Sequence, residues 1–398
     1  MRRFEGLLGK VLLAGAISAV PVAGHAQAPG VAESEITIGA LGALTGATSF
    51  MGGPGRDGLQ LGIDQINAAG GVNGRKLKLV YEHAFTPAES VAAAKKLVES
   101  DKVFALILAS GSTGAAAAAD YVRETGVPTY NLFGATPIIR TPFAKNIFHG
   151  AMPDAPTSAQ ALIDRVYQAK PDAKKIGLLV GTYAFPQSNK AALLPLLEKR
   201  GVTPVIAEFD QDSRDFTSQL ISMARQRVDA VIVLGSFSEA GFAYKQAPEK
   251  GLPNAVWVLD GSAVNDAIVP IIGDKNPQNV WGYSNMPAFP FQDHPEAVKF
   301  RQAWIARYGQ PPQGRPNTYD MVAYGGAYVL AKALKEAGDD LTWPGLIAAW
   351  SKLKDAKPSD LGGSDVIFPE SFSETDHQGN RALGRATVKG GLWQTVGP

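Results

Sequence analysis

Hydrophobic positions along the chain alternate between short aliphatic runs and longer stretches with helical spacing. The runs Glu35-ITIGALGAL and Val103-FALILAS are typical of buried strands. Between them, Leu59, Ile63 and Ile66 share one face of a predicted helix. Strands that alternate with helices form parallel sheets with right-handed crossovers. The sequence therefore predicts an open α/β architecture.

The alternation restarts after Pro153, which indicates a second domain of the same kind. Predicted helices there cover residues 157–169, 187–200, 216–227 and 240–250, and predicted strands begin at Lys175, Val202, Ala230 and Ala255. Three further helices are predicted over residues 296–308, 319–337 and 343–353. The last stretch, residues 365–393, alternates apolar and polar positions between glycine-rich turns, and we predict short strands in it.

The first residues have the pattern of an export signal. Met1-Arg-Arg is followed by an apolar run from Val11 to Ala23 and then by Gly24-His25-Ala26. This is the order of charged, apolar and small residues that signal peptidase recognises. The apolar run is too short to cross a bilayer core of about 30 Å. We therefore predict a signal peptide over residues 1–26 and a mature protein in the bacterial periplasm.

Composition narrows the functional classes. The 398 residues include 45% hydrophobic and 19% charged residues, the balance of a soluble globular protein with two to three domains. Lys and Arg total 38 against 37 Asp and Glu, for a net charge of +1, so no basic face for nucleic acid is expected. The absence of cysteine excludes disulfides, thiol nucleophiles and thiolate metal sites.

Catalytic signatures do not emerge from the motifs. Gly39, Gly42 and Gly46 follow the first predicted strand, but their spacing is not that of a dinucleotide-binding loop. The sequence has no P-loop, no HExxH and no GxSxG, and its histidines do not share helical ligand spacing. We therefore expect a protein that is not an enzyme and that needs neither a cofactor nor a metal.

One strand end does look like a binding site. The strand from Val103 ends in Ser110-Gly-Ser-Thr and runs directly into a predicted helix. Ligands of open α/β sheets bind at such carboxyl ends, where a helix N-terminus favours an anion. Ser110, Ser112 and Thr113 are therefore candidates for holding a carboxylate. The alternative is that one of them only caps the helix, because serine and threonine are preferred caps.

Other strand ends offer further candidates. Phe133-Gly-Ala-Thr136, Phe185 and Phe237 follow predicted strands, although aromatic residues there often serve only packing. Asp260 ends the strand that begins at Ala255, where its carboxylate could meet a cationic group of a ligand.

Several of these segments together resemble one family. The opening from Ile36, the turn Ile66-NAAGGVNGRKL, the strand Leu106-ILASGSTGAA and the helix Tyr319-DMVAYGGAYVLAKAL are similar to the branched-chain amino-acid binding proteins. These are type I periplasmic binding proteins of ABC importers. The resemblance implies two Rossmann-like lobes joined by three crossovers. We expect residues 31–149 and 285–364 in the N-terminal lobe and residues 150–284 and 365–398 in the C-terminal lobe.

The resemblance also implies roles for individual residues. Ser110 would bind the ligand carboxylate, with help from the loop at Phe133, Ala135 and Thr136. Either Phe50 or Met51 would pack against the ligand body. Further candidates come from the second lobe: Phe185 and Phe237 at two positions that are tyrosine in the best-known members, Tyr183 near them, and Asp260 as the acceptor of a ligand ammonium.

The resemblance leaves the ligand open. Phenylalanine at residues 185 and 237 makes that wall more apolar. If Asp260 faces the cleft, an amino acid or another amine is favoured; if backbone N–H groups bind its carboxylate, an aromatic or aliphatic acid fits. Related proteins also bind amides and urea, and a sensor of the same fold is a further alternative. The expected partners are a small-molecule ligand and a membrane permease, and the expected state is a monomer.

Overall fold

The computed structural model describes residues 28–312 and 315–396. The predicted signal peptide, residues 1–26, lies outside the described residues. The first lobe is built from alternating strands and helices: β1 (Glu35–Gly42), α1 (Ser49–Ala68), β2 (Lys76–His83), α2 (Pro87–Lys95), β3 (Ala105–Leu108), α3 (Ser112–Thr125), β4 (Thr129–Asn131), α4 (Pro137–Arg140) and β5 (Ile147–His149). Its strands form one parallel sheet in the order β2-β1-β3-β4-β5.

The second lobe repeats this alternation: α5 (Ala155–Ala169), β6 (Ile176–Gly181), α6 (Ala184–Glu198), β7 (Val205–Phe209), α7 (Thr217–Arg225), β8 (Ala230–Leu234), α8 (Phe237–Gln246), β9 (Val256–Leu259), α9 (Val269–Ile272) and β10 (Val280–Ser284). Strands β6, β8 and β9 are buried along their whole length except for Val256. This burial on both faces explains why their sequences are almost continuously aliphatic.

Three helices after β10 belong to the first lobe: α10 (Pro295–Tyr308), α11 (Thr318–Ala337) and α12 (Trp343–Trp350). Helix α11 packs along α1, and glycines allow their backbones to come close. A Cβ atom on Gly58 would lie 2.1 Å from the carbonyl oxygen of Asp320, and one on Gly62 would lie 2.9 Å from the Cβ of Ala327. Helix α11 is therefore almost wholly buried, which matches its apolar sequence.

The chain then returns to the second lobe for β11 (Gly384–Lys389) and β12 (Leu392–Thr395). These strands complete a sheet in the order β12-β11-β10-β9-β8-β6-β7. The pairs of β11 with β10 and with β12 are antiparallel, and the other pairs are parallel. Two lobes of mixed and parallel sheets confirm the predicted fold class.

The segments that join the lobes lie side by side. Gln378 donates from its amide to the carbonyl oxygens of Gly150 and Met152, at 3.1 Å each. Asn285 donates to the carbonyl oxygen of Ala151 at 3.3 Å. Residues from all three crossings are thus hydrogen-bonded together. The lobe boundaries expected from the sequence stay predictions.

Two sequence predictions were wrong in detail. Strands within the predicted region 365–393 cover only β11 and most of β12 among the described residues, because the earlier part crosses between the lobes and bonds to residues 149–152. Helix α8 begins at Phe237 rather than near residue 240, because Ser236 and Glu239 form a capping box at its start. Among the described residues, no helix combines the length and apolarity that crossing a membrane requires.

Candidate functional site

A cavity of about 240 Å³ lies between the two lobes, at the carboxyl ends of their strands. Residues that follow β1, β3, β6, β8 and β9 all contribute to its wall. The wall therefore forms where the topology of parallel sheets predicts a ligand site. From the sequence prediction it includes Ser110, Ser112, Thr113, Phe133, Phe50, Met51, Tyr183 and Phe185.

The serine-rich strand end presents an open helix N-terminus to this cavity. The N-cap of α3 is Gly111, and no side chain caps the helix. The capping alternative therefore does not apply to Ser110, Ser112 or Thr113. Ser110 is only 6% exposed, and within the described residues its buried Oγ has no hydrogen-bond partner. An unpaired hydroxyl beside unpaired helix N–H groups forms a site for an anion.

Ser112 has a different role from its neighbours. Its Oγ accepts a hydrogen bond from the backbone N–H of Ala135 at 3.0 Å. This bond ties the start of α3 to the loop after β4 and so positions Phe133 on the cavity wall. Thr113 is exposed and also lines the cavity.

The structure does not bring Ala135 and Thr136 to the cavity wall. Both are buried, at 2% and 1% exposed. The Oγ1 of Thr136 accepts a hydrogen bond from the N–H of Ile138 at 3.4 Å, so it caps the short helix α4. A threonine before proline is a favourable N-cap, which explains this placement.

An aromatic cluster closes one side of the cavity. It consists of Phe50, Phe133, Phe237 and Tyr319, and three of their ring pairs have centroids between 5.0 and 5.6 Å apart in edge-to-face geometry. Both Phe50 and Met51 line the cavity, whereas Phe237 packs behind Phe50 and does not reach the wall. Because Phe50 and Phe237 belong to different lobes, their contact joins the lobes directly.

The second-lobe wall carries a buried carboxylate that the sequence analysis missed. Glu239 is 1% exposed and lines the cavity beside Tyr183. Tyr183 donates from its hydroxyl to Oε2 of Glu239 at 2.9 Å, and burial raises the pKa of Tyr183 far above its usual range, so the phenol keeps its proton. The spacing of Ser236 and Glu239 is that of a capping box, a signal that could have drawn attention to this pair.

Asp260 lies off the cavity wall and is completely buried. One carboxylate oxygen accepts from the N–H of Gly235 at 2.9 Å. The other accepts from the N–H and the hydroxyl of Ser262 and from the N–H of Ala263. Burial raises the pKa of Asp260 to about 7, against the opposing effect of these hydrogen bonds. Of the two alternatives considered from the sequence, the arrangement is the one in which backbone donors hold this carboxylate.

The charge of the cavity wall is one-sided. Among the described residues, its ionisable acids are Asp212 and Glu239, and no Lys, Arg or His lines it. Within the same described ranges, no cluster of His, Asp and Glu could hold a metal ion. A ligand anion would thus meet only neutral donors, at Ser110 and at the N-terminus of α3.

The wall also includes residues that no strand-end argument could find. Tyr319 comes from the start of α11, far along the chain, and Phe85 lies at the mouth of the cavity, 42% exposed. Gln211, Asp212 and Ser262 come from loops of the second lobe. These positions depend on how the lobes face each other, which local sequence patterns do not encode.

Two Rossmann-like lobes around an interlobe cavity define the class of two-lobed α/β binding proteins. A family model described as periplasmic binding protein matches residues 35–391, so the chain belongs to that family. This confirms the family that the sequence motifs resemble.

Known relatives agree with this assignment. An amino acid binding protein of Pseudomonas aeruginosa is 28% identical over 352 residues, which cover 87% of this chain and 88% of that protein. The Leu/Ile/Val-binding protein homolog 7 of Brucella abortus is 25% identical over 375 residues, covering 91% and 90%. The chain is thus similar to binding proteins of the Leu/Ile/Val type.

Solved structures show the same fold. The branched-chain amino acid transporter substrate-binding protein of Streptococcus pneumoniae, in complex with isoleucine, superposes with a TM-score of 0.74 at 22% identity. The superposition covers 92% of this chain and all of that one. At this identity the likeness establishes the fold and leaves the ligand to be argued from the cavity itself.

Proposed function

We propose that this protein is the soluble binding component of an ABC importer, which captures a small carboxylate with an apolar body and delivers it to a membrane permease. The observation that carries the proposal is the unpaired, buried hydroxyl of Ser110 beside the uncapped N-terminus of α3. A carboxylate there would accept hydrogen bonds from the hydroxyl and the helix N–H groups, and the helix dipole would favour its charge.

The rest of the cavity suits an apolar body. Phe50, Met51, Phe133 and Phe185 line it, and burial of apolar ligand surface contributes about 25 cal/mol per Å². A cavity of 240 Å³ is larger than the roughly 150 Å³ that accommodates benzene in an engineered protein core. Side chains of the size of leucine or phenylalanine therefore fit this space.

Relatives of this fold differ in what they bind. One structural neighbour is a fatty acid transporter's binding protein, and another was solved with benzoate; each is 20% identical to this chain. A curated relative that is 26% identical binds leucine, isoleucine, valine, threonine and alanine. A carboxylate with an apolar body is common to most of these ligands, and this is the level at which we state the proposal.

Capture would depend on closure of the two lobes. The contact between Phe50 and Phe237 exists only when the lobes meet, so ligand contacts on both walls would stabilise the closed form. We further propose that the protein is exported by residues 1–26 and acts as a periplasmic monomer. A monomer leaves both lobes free to contact a permease.

A thermal-shift screen tests the proposal. Leucine, phenylalanine, 4-methylpentanoate, 3-phenylpropanoate and isovaleramide would each be added at millimolar concentration. A micromolar ligand would add about 4 kcal/mol to the stability, which raises the Tm by several degrees. We expect carboxylates to raise the Tm and the amide to leave it unchanged. No shift with any carboxylate would contradict the proposed function.

A pair of variants then tests the carboxylate site. Ser110→Ala removes a donor to a charged group, so the Kd of the best carboxylate should rise about tenfold or more in calorimetry. Ser188→Ala is the control, because its hydroxyl bonds within helix α6 and lies off the cavity wall. The control should bind with unchanged affinity, and an unchanged Kd in Ser110→Ala would remove that residue from the site.

A further inference from the structure

Glu239 is a buried carboxylate on a ligand cavity. It lies on the second-lobe wall, is 1% exposed and receives hydrogen bonds only from neutral groups. The N–H of Ser236 and the hydroxyl of Tyr183 donate to Oε2, at 2.8 and 2.9 Å. The N–H of Asp212 donates to Oε1 at 2.8 Å. Since a carboxylate offers about four acceptor positions, Oε1 retains room for one more donor.

No cation of the protein balances this charge. Glu239 forms no ion pair within residues 28–312 and 315–396, and no Lys, Arg or His among them lines the cavity. A buried carboxylate without a cationic partner is costly, because hydrogen bonds from neutral groups replace only part of its hydration. A positive group on a ligand in this cavity would supply the missing partner.

Asp260 cannot supply the same interaction from its position. It is also buried, but it lies behind the wall, and four hydrogen bonds from Gly235, Ser262 and Ala263 reach its two oxygens. Of the two buried carboxylates in this part of the second lobe, only Glu239 borders the space that a ligand would fill.

The two walls of the cavity therefore differ in electrical character. The first-lobe wall offers Ser110 and the positive end of α3, and the second-lobe wall offers Glu239. We infer that Glu239 selects for a protonated amine on the ligand, so that the preferred ligand is a zwitterion with an apolar body. This inference rests on the proposed function and adds the residue that sets the ligand class.

The first test uses the unmodified protein and matched pairs of compounds. Calorimetry at pH 7 would compare leucine with 4-methylpentanoate and phenylalanine with 3-phenylpropanoate, which differ only by the amine. We expect each amino acid to bind at least tenfold more tightly than its deaminated partner. Equal or tighter binding of the acids would overturn the inference and leave the proposed function standing. If neither member of either pair binds, the proposed function fails as well.

The second test changes the carboxylate. In Glu239→Gln the preference for the amino acid should fall to within about threefold of unity, since the amide carries no charge. Asp260→Asn is the matched control, because it neutralises a buried carboxylate that lies off the wall, and it should keep the preference. A purely structural role for Glu239 would weaken amino acid and acid equally, and an unchanged ratio in Glu239→Gln would therefore overturn the inference.

Tyr183→Phe guards against a folding defect in that variant. It removes one hydrogen bond to Glu239 but keeps the negative charge. The preference for the amine should persist in Tyr183→Phe, and its loss there would contradict an electrostatic origin.

Discussion

Replacing Gly114 with alanine should weaken ligand binding without destabilising the fold. Gly114 lies in the first turn of α3, where a Cβ atom would stand 2.8 Å from Oγ of Ser90 and 2.9 Å from both Cβ and Oγ of Ser110. The Cβ of Ser110 would thus lie about 0.5 Å inside the 3.4 Å at which ordinary contacts begin. A hydroxyl can rotate away, but the Cβ can move only with its backbone.

The expected magnitudes separate binding from stability. Alanine in place of a helical glycine contributes up to about 1 kcal/mol, which should offset much of the steric cost in the unliganded protein. Displacing the Ser110 hydroxyl removes a hydrogen bond to a charged group, worth about 1.5–3 kcal/mol, or more than tenfold in Kd. We therefore expect a Tm within a few degrees of the parent protein and a clearly weaker ligand affinity.

Calorimetry and thermal denaturation on the same preparations measure both quantities. Gly53→Ala in helix α1 is the control, because a Cβ atom there meets nothing within 4 Å. It should gain stability and bind the ligand unchanged. Binding by Gly114→Ala at the parent affinity would refute the claim that this glycine makes room for the anion-binding hydroxyl.

Three further predictions concern buried and interlobe groups. Burial raises the pKa of Glu370 to about 8, against the hydrogen bond from Tyr130, so the stability of the fold should fall as pH rises from about 4.5 to 8; denaturant unfolding across that range should show a smaller slope in Glu370→Gln, and an identical slope would contradict this. Phe50→Ala removes ring contacts to Phe237 and Tyr319, each worth about 0.5–1.5 kcal/mol, and should weaken ligand binding in calorimetry about tenfold by disfavouring closure; unchanged affinity would show that the contact does not support the closed form. Asp260→Asn should lower the stability measured by denaturant unfolding by about 1–3 kcal/mol, since one of its bonded oxygens becomes a donor, and a neutral effect would count against the hydrogen bonds described for it.

Much of the fold could be predicted because its determinants are local. Buried parallel strands such as β3 and β8 are continuous aliphatic runs, and α1 shows its buried face through residues 59, 63 and 66. The crossing segment 365–383 could not be predicted, because its alternating pattern resembles a strand while its hydrogen bonds go to residues 149–152. That partnership depends on the lobes being in place.

The site divides along the same line. Ser110 and Phe133 were found because strand ends meet at one edge of a parallel sheet. Glu239 and Tyr319 were missed because each reaches the cavity only through the arrangement of the two lobes. For Asp260, position in sequence was informative but direction was not: the turn at Gly261 and Ser262 folds donors back onto its carboxylate.

A crystal structure with bound ligand would test the central claim most directly. The protein would be crystallised with whichever of the screened carboxylates raises its Tm most. The account predicts the carboxylate in the interlobe cavity, within about 2.6–3.2 Å of Oγ of Ser110 and of N–H groups in the first turn of α3. A ligand bound outside this cavity, or inside it with its carboxylate turned away from Ser110, would contradict the account.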